Sequence, residues 1–127
     1  MIDYESEIFS AVATAIREKF SGAYVVGTEL TSTPPRFPAV SIVQSNNSVR
    51  TEHSTFDSLE NVVREDYKVE VYSNLITGKE AQTKAITACA SDVFAEFGYE
   101  RTFCEVVANG DPTINRRISR FTKNTVI

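Results

Sequence analysis

Ile8, Val12, Ala15 or Ile16, and Phe20 recur at three- and four-residue spacing, while Glu5, Glu7, Arg17, Glu18 and Lys19 fall largely elsewhere. That period predicts an amphipathic helix over about residues 4–20, N-capped by Asp3 and stopped by Ser21-Gly22. A short β-rich stretch, Ala23 to Val26, follows. Pro34, Pro35 and Pro38 then lock φ and remove amide donors, so residues 31–38 read as a stiff connector. Ala39 to Val43 reads as a strand buried on at least one face. Residues 44–59 hold few apolar side chains besides Val49, Phe56 and Leu59, which predicts a long loop or the tip of an extended hairpin.

From about Asn61 to Asn74 the pattern becomes strict alternation. Tyr67, Val69 and Val71 point one way, and Asp66, Lys68, Glu70 and Tyr72 the other. Such a strand reaches about 45 Å, so part of it is expected to project from the core or bend at a bulge. Thr77 and Glu80 have capping-box spacing. The helix they open presents Ile86, Cys89 or Ala90, Val93 and Phe97 on one side and ends at Gly98, a natural left-handed residue. Two more strands, about 99–108 and 113–126, flank Asn109-Gly110, a hairpin signal. The order helix, strand, strand, long strand, helix, strand, strand predicts a single α+β domain with a mainly antiparallel sheet.

Length and composition agree with one globular domain: 127 residues, 42% hydrophobic and 24% charged. No apolar run approaches the roughly 20 residues of a membrane helix. The N-terminus is acidic where a signal peptide is basic, so the expected compartment is the cytoplasm. The two cysteines, Cys89 and Cys104, lack metal-ligand spacing and read as reduced packing residues. Net charge is −4, which opposes a free-standing nucleic-acid binder. Charge is uneven: residues 1–100 hold 15 acids and 8 bases, whereas residues 101–127 hold 2 acids and 5 bases. That asymmetry suits a subunit whose neighbours meet it with complementary faces.

The chain has no GxSxG, P-loop, GxGxxG, HExxH or paired CxxC. No cofactor, metal or catalytic residue is expected. His53, the lone histidine, lies in the polar stretch with Glu52 and Asp57 and reads as an exposed loop residue. Glu65 and Asp66 are strand neighbours that point to opposite faces, so they cannot act as a dyad and read as solvated charge. The most suggestive charged group is Arg116, Arg117, Arg120 and Lys123. On a strand, Arg116 and Arg120 share one face, Arg117 and Lys123 the other. They read either as a solvated or ion-paired set, or as groups that bridge to acids of a neighbouring subunit or line a channel for DNA.

Three stretches carry a family resemblance: Phe37-Pro38-Ala39-Val40-Ser41-Ile42, Tyr67 to Asn74 (YKVEVYSN), and Gly78-Lys79-Glu80-Ala81. An alanine-rich helix ending in Phe97-Gly98-Tyr99 and an arginine-and-aromatic closing segment, Asp111 to Phe121, follow in order. Over about residues 37–127 the chain resembles the tail terminator family of long-tailed bacteriophages. The resemblance implies a non-enzymatic virion protein of the tail or neck, assembled in the host bacterial cytoplasm. It implies a hexameric ring that caps the tail tube, stops its growth and offers a surface to the head connector, with DNA passing through the centre. Partners would be further copies of the chain, the tube protein and the connector or closure protein. Val49, Arg50, Glu52, His53, Phe56 and Asp57 are then candidate partner-loop residues. A head-closure or joining protein of the same neck is an alternative. A small α+β ligand-binding module or enzyme is one of a different class and would need convergent polar groups in a buried pocket.

Overall fold

The computed structural model describes residues 3–49 and 62–126. Its elements, in chain order, are α1 (Glu5–Lys19), β1 (Tyr24–Val26), β2 (Ala39–Val49), β3 (Val62–Ser73), α2 (Lys79–Glu96), β4 (Glu100–Val107) and β5 (Asn115–Val126). The expected element order holds. The strands form one sheet in the order β1-β2-β3-β5-β4, parallel only between β1 and β2 and antiparallel elsewhere. Both helices cover one face, giving the α+β architecture expected.

The core between helices and sheet gathers Ile8, Val12, Ala13 and Ile16 from α1, and Ile86, Cys89, Ala90 and Phe94 from α2. They rest on Val40, Ile42, Tyr67, Val69, Val71 and Phe121 of the strands. Phe94 is its aromatic centre: it stacks on Phe121 with ring centroids 4.2 Å apart and meets Tyr67 and Tyr99 at 5.5 and 5.4 Å. The expected face of α2 is therefore partly wrong. Phe94 is fully buried, whereas Phe97 is 39% exposed. Phe97 stands at the helix C-cap, where the chain leaves the α period. Gly98 follows at φ +85°. Its amide bonds Ala95 O, and the Tyr99 amide bonds Phe94 O, the paired closure expected of a left-handed glycine after a helix.

At the helix starts the expectations fare unevenly. Asp3 Oδ1 accepts from the Glu5 amide at 3.0 Å, so this carboxylate serves the first turn of α1, although the cap position itself is Tyr4. The expected capping box of α2 does not form. Gly78, and not Thr77, takes the cap position, in a left-handed conformation with no side-chain cap bond.

The polar stretch expected to be a loop from residue 44 is in part strand. Gln44 to Val49 continue β2 against β3 down to the Val49–Val63 pair, past a bulge at Ser45. Backbone pairing needs no apolar side chain, so a polar sequence concealed it. Residues 50–61, which include Arg50, Glu52, His53, Phe56 and Asp57, lie outside the described residues. β3 itself pairs along its whole length with β5, and the bulges fall in β2, where it meets β3, and in β4, where it meets β5.

The second face of β3 was expected to be polar and turns out covered in part. Residues 27–38 cross it: Ser41 Oγ donates to Thr28 O at 2.8 Å, and Leu30 and Phe37 pack on Ala39, Tyr72 and Ile114. Hence Glu70 and Tyr72 are both 1% exposed. The Asn109-Gly110 signal marks the reversal between β4 and β5, but not a two-residue hairpin. Asn109 Nδ2 instead donates to Ser32 O at 2.8 Å, and Asp111 Oδ1 accepts from the Thr113 amide and hydroxyl. The turn thereby ties the crossing segment down.

Candidate functional site

The residues singled out in β5 divide between the two sheet faces as alternation requires, and they meet different fates. Arg116 lies on the face crossed by residues 27–38. Its Nε donates to Glu70 Oε2 at 2.8 Å, and its Nη2 reaches the same oxygen. Tyr72 Oη donates to that oxygen at 2.9 Å. Lys68 Nζ lies 3.0 Å from Glu70 Oε1 and 2.7 Å from Glu29 Oε1. Burial alone would raise the Glu70 carboxyl, but the bonds from Lys68, Arg116 and Tyr72 outweigh it and hold the group below its ordinary range. Tyr72 is pushed up to about 12, by burial first and then by its bond to Glu70.

Removing charges from water costs several kcal/mol per ion, so this cluster is not simply stabilising. What it accomplishes is registration: Tyr72 pairs with Arg116 and Glu70 with Ile118, and the guanidinium reaches its carboxylate only in that alignment. Glu70 is 1% exposed, so no substrate reaches it. Arg116 belongs to this intrachain network.

On the helix face, Lys123 Nζ donates to Phe97 O at 2.6 Å and lies 5.6 Å from the centre of the Tyr99 ring. An ammonium there offsets the partial negative charge at the C-terminus of α2. Arg117, half-buried on the same face, has Nε 3.5 Å from Thr83 Oγ1, a long contact. Arg120 alone of the four is exposed. It stands opposite Lys68 on β3, a like charge already held by two glutamates, and has no partner among the described residues. It lines a cavity of about 100 Å³ with Ser45, Arg64, Asp66, Thr102 and Phe121. Arg64 and Asp66 form an ion pair there at 3.1 Å.

Glu65 corrects the expectation of solvated charge. Glu65 and Asp66 do point to opposite faces, but Glu65 is fully buried. Its Oε2 accepts from Gln44 Nε2 at 3.1 Å, Tyr67 Oη at 3.2 Å and the Tyr4 amide at 3.4 Å. Position on the covered face under the start of α1 decides this, and a sequence of alternating charge does not reveal it. Nearby, Tyr4, Glu7, Ile8, Phe97, Tyr99, Lys123 and Thr125 line a cleft of about 330 Å³. Lys123, the one cation among the described lining residues, is committed to Phe97 O.

Of the candidate partner residues described, Val49 ends β2 and is 41% exposed. Among the described residues no group of three or more His, Cys, Asp or Glu is placed to hold a metal ion, and no helix is long and apolar enough to cross a membrane. Sequence reasoning missed two surface features. One is β4, in which no residue is buried. The other is the β3–α2 turn, where Leu75 is 44% and Ile76 103% exposed; an apolar pair inside a turn was the available signal. No protein-family model matches the chain, and no curated protein matches it.

Proposed function

We propose that the chain is a structural subunit that assembles into a ring, in the manner of a phage tail terminator. The ring would cap a tail tube, stop its growth and present the head-joining surface. The observation that carries the reading is β4. This eight-residue strand forms one edge of the sheet with no buried residue, yet it bears Phe103, Cys104, Val106 and Val107. Unpaired strand edges are templates for another chain, and monomers usually shorten or cover them. A mixed strand whose apolar residues are at most half-buried, with Val106 exposed, leaves an edge suited to a neighbour. Arg120 on the adjacent strand, exposed and without a partner among the described residues, offers a cation for acids of that neighbour or for phosphates in a lumen.

Light scattering over a concentration series, with negative-stain electron microscopy, tests the reading. The expected result is a closed ring with a central channel. A chain that remains monomeric at every concentration and after mixing with tail tubes refutes it. Arg120→Glu then separates the two roles of the arginine: loss of assembly identifies a subunit contact, and intact rings with impaired DNA passage identify a lumen.

A further inference from the structure

The β3–α2 turn ends in an apolar knob. Leu75 and Ile76 stand at its tip, and the isoleucine has no cover at all. At the other end of α2, Val93 and Phe97 form part of an open groove of about 490 Å³ between the two helices. The opposite wall is the outward side of α1, from Ser10 to Glu18. α2 has 18 residues, so knob and groove lie roughly 27 Å apart along one rigid helix. One copy cannot satisfy its own knob.

We infer that Ile76 of one copy seats in the α1–α2 groove of the next, a contact repeated around the ring in addition to the one at the β4 edge. The inference rests on the assembly reading above and names its copy-to-copy surface. Charge favours a second copy as the occupant. Glu18 and Glu96 stand on the groove, while exposed Lys84, and Lys79 whose Nζ also donates to Thr113 O at 3.1 Å, follow the knob on the first turns of α2, with Glu80 the single acid between them. A contact between two different patches is head-to-tail, which closes a ring when successive copies rotate. A symmetric dimer would need one patch to meet itself. Leaving the knob uncovered in water forgoes the burial of a whole isoleucine side chain, and a neighbour's groove restores it.

The test uses the full chain with Cys104→Ser, leaving buried Cys89 in place. Ile76→Cys and Thr14→Cys are introduced singly and together, both at exposed positions. Under mild oxidation, mixing the I76C and T14C chains is expected to give a disulfide-linked pair that neither gives alone. The doubly substituted chain is expected to give a ladder that stops at the ring size. Ile76→Asp is expected to weaken self-association at least ~10-fold, with Ile76→Leu restoring it. Homodimers from the I76C chain alone overturn the inference in favour of a symmetric contact. Absence of the mixed link at concentrations where the wild-type chain forms rings overturns the contact and leaves the ring reading standing. A wild-type chain that never associates overturns both.

Discussion

Phe94→Ala removes the centre of the core. The ring is fully buried, stacked on Phe121 at an interplanar angle of 8° and set edge-on to Tyr99 at 74°. Truncating a buried phenylalanine costs about 3–5 kcal/mol through lost transfer energy and the cavity left behind. Each well-placed aromatic pair adds about 0.5–1.5 kcal/mol beyond area burial, so the loss belongs in the upper half of that range. Two strands and Tyr99, just ahead of β4, meet the helix here, and they cannot all close on the void. Against a total stability of about 5–15 kcal/mol this is a large fraction. With a urea slope of about 2 kcal/mol/M, a loss of about 4 kcal/mol moves the unfolding midpoint down by about 2 M. Phe97→Ala is the matched control: same chemistry, one helical turn on, but with 39% of the residue already in water. Its expected cost is under about 1 kcal/mol. The assay is urea unfolding of both variants, followed by circular dichroism with slopes compared. A Phe97→Ala loss equal to or larger than that of Phe94→Ala would refute the assignment of the buried face.

Glu70→Gln leaves Arg116 and Lys68 facing a neutral group, and a broken buried pair costs about 3–5 kcal/mol; urea melts at neutral pH measure it. Because the folded carboxyl titrates below its ordinary 4.5, its contribution is present above that value and is lost as pH falls through the lowered one. Acid should therefore narrow the gap between wild type and E70Q, and a gap that widens would contradict the linkage. Tyr67 and Tyr99 have hydroxyls pushed well above the usual 10.0, by burial first, and Tyr72 is raised to about 12. Their contribution is complete below pH 10 and lost as pH rises above it, so phenolate absorbance should show these three ionising late and together with unfolding. Early, reversible ionisation of all five tyrosines in the folded protein would refute it.

Periodicity and turn chemistry were enough to make the element order and the α+β class legible. The backbone obeys those cues locally: alternation in 62–73, the glycine after α2, the prolines of 34–38. They also placed Arg116 and Arg120 on one face and Arg117 and Lys123 on the other, since side-chain alternation is a property of any strand. What no local pattern carries is which face another element will cover. Glu65 read as solvated charge and Glu70 only as part of the second face of β3, but α1 starts over one and residues 27–38 cross the other, so each is buried with hydrogen-bond partners up to 61 residues distant. Phe94 and Phe97 sit one turn apart with the same chemistry, and only the direction in which α2 lies on the sheet decides that the first is core and the second surface. The polar residues 44–49 pair as strand because backbone bonds to β3 hold them, a long-range term absent from their own composition. The fates of the basic set were settled in the same way. Arg116 and Lys123 are claimed by groups far along the chain, and Arg120 is left facing outward.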